Sequence, residues 1–460
     1  MSWRNLIWMA IILALAGLAF SLARGRKPRV PPTDPTLDDL AGAVQAYKVI
    51  KQRSYRPPAT QQACRGAIEG MVRQVDDYSR YVSQASSGRL DRRLDGTVEG
   101  TGLLIAESQD KLVTLGPLPQ SPAHDAEIYG GNEILAIDAE QAEYLTLDRA
   151  RELLTRPAGT TVKLRLRDAR GKQLLRELPC RRFDIETVTG IVRDDAGRWD
   201  CVLDEQADIY YLRISEFIDH TPKQLQDAYR RLGAPAGVVL DLRGNPGGTL
   251  AAAVGVVEAF LSKGLIVRTV SRQGTISTHS AHESNTFPPA PLVVLIDERT
   301  ASAGEVVAGA LSVHGRAMLL GQPTHGKWYV QSVVDLPSGL GQLYLTTAEY
   351  FLAEPAPSTH PSASAPVRPA DQPRPGVAPD VALRLTVRAR RQLELLRAKA
   401  TVIPPPSPKP KRPPPQKQLK RAILDCDEQL AEALRLLKLG RVPTTRPATK
   451  RPPQIQEVHP

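Results

Sequence analysis

Apolar residues from Leu37 to about Val82 recur at steps of three and four: Leu40, Ala43, Val44 and Tyr47, then Ala67, Met71, Val72 and Val75. This spacing predicts two helices separated by Pro57 and Pro58. Between residues 98 and 182 the pattern changes to short β-rich runs, Leu103 to Ala106, Leu112 to Leu115, Ile134 to Ile137 and Val162 to Leu166, around one helical stretch from Leu147 to Leu154. A small β-domain is expected there. From 183 to 352, apolar strands (Ile209 to Ile214, Gly237 to Leu242, Leu292 to Ile296, Ala317 to Leu320) alternate with helical stretches (Pro222 to Leu232, Leu250 to Leu261, Ala303 to Val313). Such alternation predicts α/β layers. Leu419, Ile423, Leu430, Leu434 and Leu437 then predict one amphipathic helix near the carboxyl terminus.

The expected organisation is a membrane-directed segment with a basic flank over 1–30, a helical region over 37–87, the β-domain over 88–182 and an α/β core over 183–385. An Ala, Pro and Ser-rich insertion interrupts the core at 353–376, and a basic, Pro-rich tail with its helix follows over 386–460. The length of 460 residues and 42% apolar content exclude wholesale disorder. Of the 40 prolines, 21 follow residue 353, so proline marks the insertion and the tail while the rest stays foldable.

The net charge of +11 would suggest a nucleic-acid or membrane binder if it were spread evenly. Residues 386–460 hold 17 basic and 6 acidic residues and residues 1–30 hold five basic and none acidic, which leaves 38 basic against 43 acidic for the body of the chain. The charge is therefore no argument for a nucleic-acid surface, and the tail from Arg388 on has no interleaved aromatic residues to stack on bases. That tail is read as solvated, with attraction to anionic lipid as the functional alternative.

Leu6 to Ala23 is an 18-residue run without charge, preceded by Arg4 and followed by Arg24, Arg26, Lys27 and Arg29. It reads as an export signal or membrane anchor, the anchor being favoured because four positive charges directly after the run resist translocation. A cell-envelope location, membrane-anchored or periplasmic, follows. Cys64, Cys180, Cys201 and Cys426 form no C-x-x-C pair and read as isolated thiols, with a Cys180–Cys201 bridge open to an exported chain. His279, His282 and Glu283 are read as solvated loop residues rather than a metal site, and no cofactor is expected.

Two strand-to-helix turns carry candidate chemistry. The first is Gly244-Asn245-Pro246-Gly247-Gly248, where the glycine pair lets backbone N–H groups converge for an oxyanion or a phosphate, or simply closes a tight turn. The second, Arg299-Thr300-Ala301-Ser302-Ala303-Gly304-Glu305, sets Ser302 at a helix amino terminus, as a nucleophile or as an N-cap. Lys327 follows in a glycine-flanked turn, Thr324-His325-Gly326-Lys327, between two apolar strands.

These segments resemble the carboxyl-terminal processing, or tail-specific, proteases, serine peptidases with a Ser-Lys dyad. The likeness covers about residues 37–352 and Gly376-Val377-Ala378-Pro379-Asp380. Leu240 to Gly248 matches L-D-L-R-x-N-x-G-G, Ser302 to Glu305 matches S-A-x-E, Pro323 to Gln331 matches P-T-x-G-K-x-x-x-Q, and Val75 to Tyr81 is similar to L-D-P-Y-S-x-Y. The resemblance implies an α/β fold with a crotonase-like core, Ser302 as nucleophile, Lys327 as general base oriented by Gln331, and an oxyanion hole from Gly247 or Gly248 with Ala303. A base of this kind needs burial, because an unperturbed lysine (pKa about 10.4) is protonated at neutral pH.

The β-domain resembles a PDZ domain, with Gly100, Thr101, Gly102 and Leu103 in place of the carboxylate-binding loop. The implied partners are protein substrates with apolar carboxyl termini, the membrane through the amino-terminal segment, and a regulatory or adaptor protein. Val313 stands where many members carry an acidic residue, and His325 replaces the aromatic before the Gly-Lys pair. A catalytically impaired PDZ-containing scaffold is the alternative function.

Overall fold

The computed structural model describes residues 35–84, 96–108, 110–168, 170–194, 197–283, 286–352, 374–404, 415–442 and 444. The Leu6 to Ala23 segment and residues 353–373 of the expected 353–376 insertion lie outside them. The chain divides into two compact units, 1–71 and 72–460. In the first, helix Pro35–Arg53 is followed by Pro57 and Pro58 and by helix Thr60–Val72, and the Tyr47 hydroxyl donates to Thr60 Oγ1 at 2.8 Å. No described helix is long and apolar enough to cross a membrane.

The second unit contains a six-stranded antiparallel sheet between Leu103 and Pro179. In strand Thr161–Arg167, Val162, Leu164 and Leu166 are buried while Thr161, Lys163 and Arg165 are exposed, the period of two expected of a sheet with one covered face. Helix Leu147–Leu154, capped by Thr146, packs Leu153 and Leu154 into that core.

The central layer is a mostly parallel sheet in which Ile209–Ile214, Gly237–Asp241, Leu292–Ile296 and Met318–Gly321 lie side by side in that order. Every residue of Gly237–Asp241 and Leu292–Ile296 is buried, as a parallel sheet covered on both faces requires. Val238, Leu240, Val294 and Ile296 meet helices Thr221–Leu232, Leu250–Phe260 and Ala303–Val313. The alternate residues Val239, Val293 and Leu295 meet helices Val387–Thr401, Pro415–Cys426 and Glu428–Lys438.

This corrects several expectations. Helices Val387–Thr401, Pro415–Cys426 and Glu428–Lys438 are not solvated, since Leu393, Ile423, Leu430, Ala433 and Leu436 form the second cover of the sheet. The single helix expected over 419–437 is two, divided at Asp427, whose side chain caps the second by accepting from Leu430 N–H. His279 also lies in a strand, Gly274–Ala281, not in a loop, and His282 Nδ1 pairs with Glu258 at 3.0 Å. All four cysteines are free; Cys180 and Cys201 are buried without a bridge, and burial, reinforced by Asp200, pushes the Cys201 thiol up to about 12.

The carboxyl-terminal cover is joined to the sheet by a dry charge cluster. Arg243 donates to both oxygens of Asp427 (2.8 and 2.7 Å), to both of Asp241 (2.9 and 2.6 Å) and to Gln429 (2.8 Å), and Arg397 also pairs with Asp241. Burial pushes the Asp241 carboxyl up, but Arg243, Arg397 and Arg213 outweigh it and hold it well below the carboxylate range. The stability this carboxylate contributes is complete above its unfolded pKa of about 3.9 and is lost only as pH falls through the lower folded value. Asp427→Ala leaves Arg243 buried with half its compensating charge and is expected to lower the unfolding free energy by about 3–5 kcal/mol in urea denaturation at neutral pH. A loss within about 1 kcal/mol, the range of an exposed ion pair, would show that the cluster does not tie the last helix down.

Candidate active site

Two loops leave the carboxyl ends of the neighbouring strands Gly237–Asp241 and Leu292–Ile296, the end of a parallel sheet where ligands are met. The first loop turns at Gly247 (φ 104°) and Gly248 (φ 141°). A Cβ on Gly247 would stand 2.9 Å from the Ser302 Cβ and 3.1 Å from the Ala303 nitrogen, and one on Gly248 would strike the Phe217 carbonyl. Only glycine allows this approach. Buried Asn245 holds the loop: its Nδ2 donates to Ile214 O (3.0 Å), its Oδ1 accepts from Gly247 N–H (2.8 Å), and its carbonyl accepts from Ala301 N–H (2.9 Å). The Gly247 N–H is thus spent. Among the described residues, the N–H groups of Gly248 and Ala303 donate to no acceptor.

The second loop ends at Ser302, which has φ 53° and ψ −117° at the amino terminus of helix Ala303–Val313. A non-glycine residue in this region carries backbone strain, which persists only where its surroundings over-determine it. Glu305, fully buried, supplies the determination. Its Oε2 accepts from Ser302 N–H (2.9 Å) and from Lys327 N–H (2.8 Å), and its Oε1 from Gly326 N–H (2.7 Å) and the Thr324 hydroxyl (2.6 Å). One oxygen therefore binds the backbone nitrogens of both Ser302 and Lys327.

The Lys327 loop is clasped from outside by residues 374–380. Thr324 N–H donates to Val377 O (3.1 Å), Val377 N–H to Thr324 Oγ1 (2.6 Å), and Trp328 Nε1 to Pro375 O (3.0 Å), while Asp380 anchors the clasp by accepting from Leu319 N–H (2.8 Å). The Lys327 ammonium donates to Gln331 Oε1 at 2.9 Å, and Gln331 Nε2 donates to Tyr78 O at 2.5 Å. Tyr78 itself lies in a turn made by Asp76, whose carboxylate accepts from Tyr78 N–H (2.8 Å) and Ser79 N–H (2.5 Å), and its ring centroid is 5.3 Å from the Lys327 nitrogen. Burial, then the nearby Arg80, lowers the Lys327 pKa, against the opposing pull of Asp76 and Glu305. No hydrogen bond joins Lys327 to Ser302 among the described residues.

The structure thus brings Gly247, Gly248, Ser302 and Ala303 together, and sets Lys327 and Gln331 beside them through Glu305. Glu305, Asn245 and Tyr78 were not singled out as functional from the sequence, although each stands inside a quoted motif; what was missing was their three-dimensional partners. Gly100, Thr101 and Leu103 are buried in the β-domain, where Thr101 N–H and Oγ1 both donate to Leu154 O (2.9 and 3.1 Å). The Thr101 N–H is therefore not free for a peptide carboxylate. Val313, at the far end of the Ser302 helix, is about 16 Å along the axis from Ser302 at a rise of ~1.5 Å per residue, outside hydrogen-bond reach of it.

The model of peptidase family S41 matches residues 208–381. The chain is 32% identical over 324 residues to the carboxy-terminal-processing protease of Bartonella bacilliformis, covering 69% of this chain and 71% of the relative. It is 34% identical over 301 residues to the carboxyl-terminal-processing protease of Synechocystis sp., covering 64% and 68%. A solved photosystem II D1 C-terminal processing protease aligns with 75% of this chain and 86% of its own at 28% identity, TM-score 0.41. The protein is a serine-type peptidase. It belongs to peptidase family S41, among the carboxyl-terminal processing proteases.

Glu305→Gln replaces one acceptor oxygen by a donor amide facing buried donors. It is expected to lower the unfolding free energy by about 2–3 kcal/mol, measured by chemical denaturation. Stability within about 0.5 kcal/mol of the parent would show that the carboxylate is not what holds the two loops.

Proposed function

We propose that the chain is a serine endopeptidase of the cell envelope with a Ser302–Lys327 dyad. Ser302 Oγ attacks the scissile carbonyl while its proton passes to neutral Lys327, Gln331 orients Lys327, and the N–H groups of Gly248 and Ala303 donate to the developing oxyanion. The observation that carries this reading is the shared Glu305 Oε2, which holds the Ser302 and Lys327 backbones within two hydrogen bonds of each other. Burial of Lys327 supports the base role, because it disfavours the ammonium. Proton transfer then requires the Lys327 side chain to turn from Gln331 toward Ser302, consistent with catalytic hydrogen bonds that tighten only with substrate bound.

The core would be of the crotonase type and the β-domain a PDZ module that captures an apolar carboxyl terminus by strand addition. Gly102 N–H would serve the terminal carboxylate in place of Thr101, whose Oγ1 also accepts from Leu103 N–H at 3.4 Å. The substrates would be unfolded or tagged proteins; Leu6 to Ala23 would hold the enzyme at the membrane, and a regulatory or adaptor protein is a further partner. The scaffold alternative draws only on Val313, which is remote from Ser302.

With an unfolded protein ending in an apolar residue as substrate, Ser302→Ala and Lys327→Ala are each expected to reduce kcat/KM at least about a thousandfold, with fragments identified by mass spectrometry. Lys327→Arg, a permanent cation, is expected to be equally inactive. Retained cleavage in Lys327→Arg would exclude lysine as base. Because the base must be neutral, kcat/KM is expected to rise with pH through a Lys327 pKa below the ordinary ~10.4 and to fall on the acid side. A profile flat across the neutral range would remove Lys327 from the mechanism.

A further inference from the structure

Residues 76–82 reach the candidate site from the start of the chain, and contacts with strand Gly341–Phe351 fix where they sit. Arg80–Val82 pairs antiparallel with Gln342–Tyr344. The Ser79 hydroxyl oxygen accepts from Thr346 N–H at 3.1 Å, and the Tyr81 hydroxyl donates to Leu340 O. Thr346 is also the register partner of Gln331 on the neighbouring strand Tyr329–Leu336, so Ser79 and Gln331 flank one residue from its two sides. Within the segment, Asp76 Oδ1 accepts from both Tyr78 N–H (2.8 Å) and Ser79 N–H (2.5 Å), an aspartate closing a turn on its own backbone. The turn aims the Tyr78 carbonyl at Gln331, 253 residues away in the chain, whose Nε2 donates to it at 2.5 Å.

A backbone carbonyl can only accept, so the end of the Gln331 amide that meets Tyr78 is its NH2 and the end that meets Lys327 is its oxygen. The Lys327 Nζ accordingly donates to Gln331 Oε1, at 2.9 Å. This orientation decides what the amine can do. A neutral Nζ has two N–H bonds and one lone pair, and an N–H spent on Oε1 leaves the lone pair unengaged. A reversed amide would point its own N–H at Nζ and occupy the lone pair that has to receive a proton.

We propose that Asp76 is a positioning residue for the general base: by turning the Tyr78 carbonyl toward Gln331, it fixes the amide so that the Lys327 lone pair stays free for the Ser302 proton. The inference rests on the Ser-Lys reading above and goes beyond the orienting role of Gln331, whose amide could by itself face either way. In the step, the Ser302 Oγ–H bond breaks, its proton goes to that lone pair, and an Oγ–C bond forms as the carbonyl π pair moves onto oxygen. Asp76 and Gln331 exchange no proton. Electrostatics does not account for Asp76. Burial, then Arg80, favours the neutral Lys327 amine, while the negative charges of Asp76 and Glu305 favour the ammonium. As a charge Asp76 therefore opposes the base, and only as the former of the turn does it serve it.

The test uses the full chain as parent, Asp76→Asn, Asp76→Ala and Ser302→Ala. Asp76→Asn keeps an Oδ1 for both N–H groups and removes the charge, whereas Asp76→Ala removes the two together. The rate and end point of covalent labelling by a fluorophosphonate are read by intact mass, and kcat and KM are measured across pH on a peptide substrate. Both Asp76 variants should move the acid limb to lower pH, because each loses a carboxylate that favours the ammonium. The alkaline plateau of kcat then separates the turn from the charge. There Asp76→Asn is expected within about threefold of the parent and Asp76→Ala about 10–30-fold below it, with KM within about twofold. Asp76→Ala should label more slowly by a similar factor but to the same end point, since a merely structural loss lowers the fraction labelled. Asp76→Ala at the parent's plateau, or Asp76→Asn as slow as Asp76→Ala, would overturn the proposal. So would an Asp76→Ala protein melting more than about 10 °C below the parent, which would make the turn a folding element. Failure of the Ser-Lys reading is seen separately, as a parent that labels no better than Ser302→Ala.

Discussion

The arrangement at the end of the sheet depends on one buried carboxylate. Glu305 has no exposure and four donors, and the two that meet at its Oε2 come from residues 25 positions apart in the chain, Ser302 and Lys327. A carboxylate in a dry site is costly unless its lone pairs are filled. Here they are filled by three backbone N–H groups and the Thr324 hydroxyl of two loops, so its desolvation is offset only when both loops are in place. The same bond takes up the Ser302 N–H, which leaves Ala303 N–H as the first free donor of the helix and keeps the positive φ of Ser302 in place.

The sheet behind the site explains why the loops meet at all. Parallel strands Gly237–Asp241 and Leu292–Ile296 end at the same level, so the glycine turn and the Ser302 turn emerge side by side. Side chains of alternating direction need cover on both faces, and the second face is covered by residues 387–401 and 415–438. Arg243, which follows the last residue of one of these strands by two positions, carries this dependence into electrostatics: its charge is balanced by Asp241 from the strand and by Asp427 from the cover. The site and the carboxyl-terminal helices are therefore linked through one strand end.

Much of this was legible in order along the chain. Strands Ile209–Ile214 and Leu292–Ile296 appear where short, largely apolar runs with β-branched and aromatic residues predict them, and the helix from Ala303 starts at the serine that the turn before it exposes. Strand Gly274–Ala281 was not legible, because Thr275, Ser277, Thr278 and Ser280 lack an apolar period; pairing with Gly264–Ser271 makes it a strand. Helix Val387–Thr401 was hidden by its charge. Arg390 and Arg397 are counted as solvated in a sequence, yet they pair with Glu298 and Asp241 once the helix docks.

By itself the sequence determined the local chemistry: which turns have glycine where a side chain would collide, where a serine begins a helix, and which lysine sits among apolar strands. These depend on neighbours within a few residues and on the side chains' own properties. Only the tertiary structure decided the partners. Whether Gly247 or Gly248 keeps a free N–H was settled by Asn245, whether Thr101 has one by Leu154, and which carboxylate spans the serine and lysine loops by the burial of Glu305. Hydrogen bonds reach only about 3 Å, so residues far apart in the chain acquire them only when the packed sheet and helices bring them to that distance.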